Sequence, residues 1–154
     1  MFPHRDLYAG AGPLTRAGLL AMQAITVAGL AVDAYVHADL AANYDLVGTT
    51  ITQGTLFRIE AGVSAAAALL VVAVGGRFVY AVAAAVAGSA LAVLLLYRYV
   101  NVGSLGPIPN MYEPIWYTEK TVAAIAEAAA TVAAAVLALY AWLGWLRRRA
   151  GAAR

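Results

Sequence analysis

Cysteine is absent from the 154 residues, which excludes a disulfide framework, a thiolate metal site and a cysteine nucleophile. Charge is scarce as well. Asp, Glu, Lys and Arg make up 12% of the chain, against about 25% in soluble domains, too little to coat a water-facing surface. The net charge of +2 is small and scattered, so it gives no basis for nucleic-acid binding. No GxSxG, P-loop, HExxH or GxGxxG in a βαβ setting occurs, and soluble-type nucleotide or hydrolase chemistry has no support.

What the chain does have is apolar residues, 64% of the total, with a mean hydropathy of +0.78. Four uncharged runs, 17–32, 61–76, 78–97 and 128–146, hold 16, 16, 20 and 19 residues. A helix that crosses a bilayer needs about 20. The first run therefore extends through Asp33 toward His37 and the second starts near Leu56, giving predicted spans at 15–37, 56–76, 78–98 and 120–146. Barrel strands would alternate polar and apolar residues over about 10 positions, which these runs do not. The first run also begins too late and runs too long for a cleaved signal peptide. The expected fold is all-α, a four-transmembrane-helix antiparallel bundle over 1–154 as a single integral domain, multi-pass in the cell membrane.

Basic residues orient it. With both termini on one side, that side collects Arg5, Arg16, Arg77, Arg147, Arg148, Arg149 and Arg154, and the other keeps Arg58, Arg98 and Lys120. The excess places both termini in the cytoplasm. Gly75, Gly76 and Arg77 make a short connection between the second and third spans. The outer connections, 38–54 and 99–119, are long and expected to be ordered. Small residues recur every fourth position at Ala84, Gly88 and Ala92 and at Ala24 and Ala28, a spacing that lets membrane helices approach closely. Tyr140, Trp142 and Trp145 suit an interfacial belt, with Arg147 to Arg149 as its anchor.

Counting from Arg16, Arg77 and Arg147 gives each remaining charge a depth. Asp33 and Glu60 lie 17 positions away, Arg58 lies 19, Glu127 lies 20, and Arg98 and His37 lie 21, or roughly 25 to 32 Å at 1.5 Å per residue. All four helices thus bring a charge to one layer near the outer boundary, where such groups pair across helices and face the bundle. Asp33 and His37 share a helix face at i, i+4, whereas Arg58 and Glu60, two apart, do not; either could meet Arg98 or Asp33. Lys120 and Glu127 share a face with Ala123 and Ala124 between them, leaving space for a headgroup-sized ligand. The layer reads as a structural network that fixes helix rotation and ends the spans, as a binding or catalytic site, or as side chains that snorkel to the interface.

No metal site is assigned. Asp33, His37 and Glu60 or Asp39 have the donor types, but zinc needs three or four ligands and no short motif sets that geometry. A bis-histidine haem is not expected either, because the second histidine, His4, falls on the cytoplasmic side. Asp39 and Asp45 add acid to the first connection without an EF-hand pattern. In that connection Thr49 to Thr52 reads as a short extended segment or the start of the second helix. The second connection carries Pro107, Pro109 and Pro114 with Tyr112, Trp116 and Tyr117. That composition argues for an ordered segment, either a lid lying over the bundle or an aromatic anchor that holds no ligand, with Thr118 capping the fourth helix and Glu119 in its first turn.

The stretch Phe57-Arg58-Ile59-Glu60-Ala61-Gly62, continuing through an apolar helix to Gly75-Gly76-Arg77 and a second small-residue helix, resembles the central hairpin of the DoxX-like family of small four-helix membrane proteins. About a third of the chain carries the likeness, which implies either a subunit linked to quinone-dependent oxidation of sulfur compounds or one of the many members with no assigned role. The alanine-rich style also resembles four-span proteins of high-GC bacteria.

Three functions follow as expectations. One is a subunit or scaffold of a membrane complex or homo-oligomer, in contact with lipid. Another is a lipid- or quinone-binding protein, enzyme or not, whose headgroup site draws on Asp33, His37, Arg58, Glu60, Arg98, Trp116, Lys120 and Glu127. The third is a cation or proton carrier, for which the inner two thirds of the spans offer no acid or histidine as a relay.

Overall fold

The computed structural model describes residues 11–48 and 50–152; the expectations for His4, Arg5, Thr49 and Arg154 fall outside them. Four α-helices follow one another: α1 Pro13–Ala41, α2 Gln53–Ala73, α3 Arg77–Tyr99 and α4 Thr118–Ala152. All four are long and apolar enough to cross a membrane, and the described residues contain no β-strand beyond two isolated bridges. Pro13 opens α1, where its missing N–H costs nothing, and the helix passes Asp33 and His37 to end in a 3-10 turn at Ala42–Tyr44. Thr52 caps α2, its side chain accepting the Thr55 N–H at 3.1 Å. Gly75 and Gly76, at φ 63° and 90°, turn the chain into α3 through a conformation that other residues rarely adopt. Thr118 begins α4 as a helical residue rather than capping it, with Glu119 in the first turn.

Each helix packs on its chain neighbours and α1 packs on α4, which closes an antiparallel ring. Gln23 of α1 donates to the Val71 carbonyl near the end of α2 at 3.3 Å. At that same end of the bundle the Arg77 guanidinium lies over the rings of Phe78, Trp142 and Trp145 at 4.6, 5.4 and 4.5 Å. Leu30, Val71, Tyr80 and Leu137 are fully buried on the bundle axis. Around them α4 presents a seam of alanines at 123, 126, 130, 133 and 134, facing Ala83, Ala87 and Ala90 of α3 and the buried face of α1. Leu69, Phe78, Ile125, Val132 and Leu139 point outward and stay exposed, a surface suited to hydrocarbon.

The close approach is not where the small-residue spacing places it on α1. Ala24 and Ala28 are exposed, and so is Ala92 of α3. Gly29 makes the contact instead, buried against α4, where an added Cβ would lie 2.6 Å from the Ala126 carbonyl oxygen and 2.9 Å from the Ala130 Cβ. The reason is rotational: Thr26, Gly29, Leu30 and Asp33 form the buried stripe of α1, and Ala24 and Ala28 lie off it.

Candidate functional site

Asp33, on the buried stripe of α1, is 1% exposed, and His37 follows one turn later. His37 Nδ1 lies 2.9 Å from Asp33 Oδ1 and 3.1 Å from the Asp33 carbonyl oxygen. An N–H there is directed at the carbonyl, leaving Oδ1 in contact but without a directed donor. From α2, Ser64 Oγ sits 2.6 Å from Asp33 Oδ2 and 3.1 Å from Glu60 Oε1. A hydroxyl has one proton to donate, so it serves one of these acids at a time. From α4, Glu127 enters the same space at 1% exposure, and neither of its carboxylate oxygens has a hydrogen-bond partner. Three acids from three helices thus meet around one imidazole and one hydroxyl.

The arginines do not join them. Arg58 points away from Glu60, as their two-residue separation requires, and makes a bidentate pair with Asp45 in the first connection at 2.6 and 2.8 Å. That pair holds the Asp45 carboxyl below its ordinary value. Arg98 lies over Tyr99 and Trp116 at 5.0 and 5.3 Å. The expected pairing of Asp33, Glu60 and Glu127 with Arg58 or Arg98 is therefore corrected: the height is shared, but the arginines sit at other rotations about their helices. Asp39 is exposed and outside the group.

Beside the acids lies a cavity of about 480 Å³, lined chiefly by α2 and α3 with Val36, His37 and Leu40 of α1 and Lys120 and Ala123 of α4, and walled mainly by apolar side chains. His37, Gln53, Glu60, Ser89, Glu113, Tyr117 and Lys120 supply its polar groups. The Phe57 ring meets His37 edge-on at 5.2 Å and Tyr44 at 5.0 Å. Ile59, Val93 and Leu96 border the cavity and are also exposed on the bundle's flank, so the space opens sideways between two helices that touch each other least among the neighbouring pairs.

Residues 100–117 close the end of this cavity farther from Arg77, with Leu105, Ile108 and Met111 on its wall. Glu113 pins the segment: its N–H donates to the Tyr97 carbonyl at 3.1 Å, and its carboxylate accepts from Tyr44 and Tyr117 at 3.2 Å each. Lys120 Nζ contacts that carboxylate at 3.0 Å and donates to the Glu113 carbonyl at 2.8 Å. Burial, with the hydrogen bond to Tyr44 and the charge of Glu113, pushes the Tyr117 phenol above its ordinary value, so it stays a donor. Trp116 stacks against Arg98 and is not on the cavity wall, where Tyr117 takes the place expected of it.

Lys120→Met should release this strap without disturbing the bundle. Charge-assisted hydrogen bonds contribute about 1.5–3 kcal/mol, so amide exchange across 105–117 is expected to speed up at least tenfold while the cores of α1 and α4 keep their protection. Unchanged exchange there would remove the latch role.

Sequence reasoning missed Ser64, Tyr44, Glu113 and Gln53. Ser64 alone left a signal, as a polar residue in an apolar run four positions after Glu60. No protein-family profile, curated protein or solved structure matches this chain.

Proposed function

We propose that this is a multi-pass membrane protein, with both termini cytoplasmic, that binds an amphipathic lipid-soluble ligand of the quinone type. The ligand's polar head enters the outer cavity and its tail leaves between α2 and α3. The carrying observation is the cavity: about 480 Å³, apolar walls, a few convergent polar groups and a sideways mouth bordered by exposed Ile59, Val93 and Leu96. Small-molecule pockets have this make-up, with volumes of about 300–1,000 Å³. Lys120, with three N–H groups, and the ring N–H of His37 are donors toward a carbonyl oxygen, and Glu60, Glu113 and Gln53 are acceptors toward a hydroxyl. A ring carrying both kinds of oxygen fits that mixed lining. The orientation follows from the excess of arginine at the end that holds Arg77 and Arg147 to Arg149. The likeness to DoxX-like proteins points the same way, since Glu60 of the shared hairpin reaches this cavity.

Ala90, buried on the cavity wall, provides the test. In lipid nanodiscs, a short-chain ubiquinone or menaquinone analogue is expected to bind saturably, and Ala90→Phe, which fills the space, to weaken binding tenfold or more. Val132→Phe, on the outer face of α4, should not change it. Absence of saturable binding, or equal affinity in the Ala90→Phe protein, would rule the reading out.

A further inference from the structure

The buried acids do more than line a pocket. One ring nitrogen of His37 and one carboxylate oxygen each of Asp33 and Glu127 lie within 4.8 Å of one another. Zinc-type bonds to such atoms are about 2.0–2.2 Å long, so a rotamer adjustment of an ångström or less brings all three donors onto one ion. A cluster of acids alone would not point to a ligand. The second observation is Glu127 itself: it is 99% buried, aimed at Asp33 and His37, and neither oxygen meets a hydrogen-bond donor. Glu127 and Asp33 adjoin each other closely enough to share a hydrogen bond, and with no other donor to Glu127 either a proton or a cation must lie between them in an interior where an uncompensated charge is costly. No lysine or arginine among the described residues is paired with Asp33, Glu60 or Glu127.

The geometry points to a divalent transition-metal site formed by Asp33 and His37 of α1 and Glu127 of α4. Two carboxylates and a neutral imidazole neutralise a doubly charged ion, leaving a site without net charge. Nitrogen with two oxygens suits Mn²⁺, Fe²⁺ or Zn²⁺; Ca²⁺ and Mg²⁺ favour all-oxygen shells with more ligands. Ser64, bonded to Asp33 Oδ2 at 2.6 Å, orients the aspartate, the supporting role that ligating carboxylates require. Three protein ligands match the number in catalytic zinc sites, which keep a position for water or an exogenous oxygen. The triad shares only His37 with the cavity wall.

The full-length protein, stripped with chelator in nanodiscs free of quinone, is titrated with Mn²⁺ and with Co²⁺. One ion per chain is expected, with pulsed EPR of bound Mn²⁺ showing coupling to a single imidazole nitrogen. Glu127→Gln should weaken binding tenfold or more, Ser64→Ala by roughly tenfold, and Asp39→Asn, at an exposed acid, not at all. Failure of the folded wild type to bind either ion saturably would mean that a proton alone bridges the carboxyl groups, and would overturn the site. Bound Mn²⁺ without nitrogen coupling would overturn it equally, and that readout needs no variant to fold. Because no quinone is present, either result stands apart from the cavity test.

Discussion

Replacing Gly29 with valine is expected to cost the bundle about 3 kcal/mol or more, the upper range for overpacking a filled core, read as a fall in the unfolding midpoint in detergent or nanodiscs. A first side-chain carbon at this position would already lie 2.6 Å from the Ala126 carbonyl oxygen and 2.9 Å from the Ala130 Cβ. One of those atoms is helix backbone and the other is the only side-chain carbon of an alanine, so neither can swing aside. The helices must separate instead. Asp33 sits one turn along α1 from Gly29, and Glu127 adjoins Ala126 on α4, so the separation also spreads the donors of the proposed metal triad. Gly62 of α2 provides the contrast, because nothing lies within 4 Å of an added Cβ there. Gly62→Ala should be neutral or stabilising by up to about 1 kcal/mol, the helix-propensity difference alone. Equal midpoints for Gly29→Val and wild type would show that the α1–α4 approach is not close in solution.

The four helices were legible because hydropathy and the spacing of charges report on length and depth. Their ends were less so: α1 continues to Ala41 and α4 to Ala152, since a helix persists through polar residues that apolar runs do not count. Depth is set by a rise of 1.5 Å per residue, and the acids Asp33, Glu60 and Glu127 do occupy one layer. Rotation is another matter. Alanines at 17, 21, 24, 28 and 31 recur at i, i+4, i+7 spacing and form one stripe of α1, but that stripe is exposed; Gly29, about 100° round the helix from Ala28, lies on the buried face, and spacing reports a stripe without saying which way it turns. Rotation likewise separates Arg58 and Arg98 from the acids at their own height. Tyr44 and Glu113, 69 residues apart, meet only because the 100–117 segment folds back over α3, and no local pattern announces such a contact.

Those acids also make an unusual stability prediction. Core substitutions normally destabilise, by about 1 kcal/mol on average, yet Glu127→Met should make the metal-free protein more stable than wild type. Methionine is close to glutamate in volume and adapts to irregular surroundings, so the seam between α1 and α4 stays filled. What disappears is a buried carboxylate with no donor, facing a second carboxylate held by Ser64 and His37. Replacing buried charge by well-packed apolar groups is often stabilising by about 1–4 kcal/mol, and Asp33 keeps the Ser64 hydroxyl and the His37 ring beside it once Glu127 is gone. In chelator the variant is therefore expected to melt above wild type. Adding Mn²⁺ should raise the wild-type midpoint in proportion to the logarithm of ion concentration above its dissociation constant, and leave the variant where it was. The two curves cross only if Glu127 is retained for the ion. A Glu127→Met protein that melts below wild type in chelator would instead place a protein donor on that carboxylate, making the acid layer a structural network.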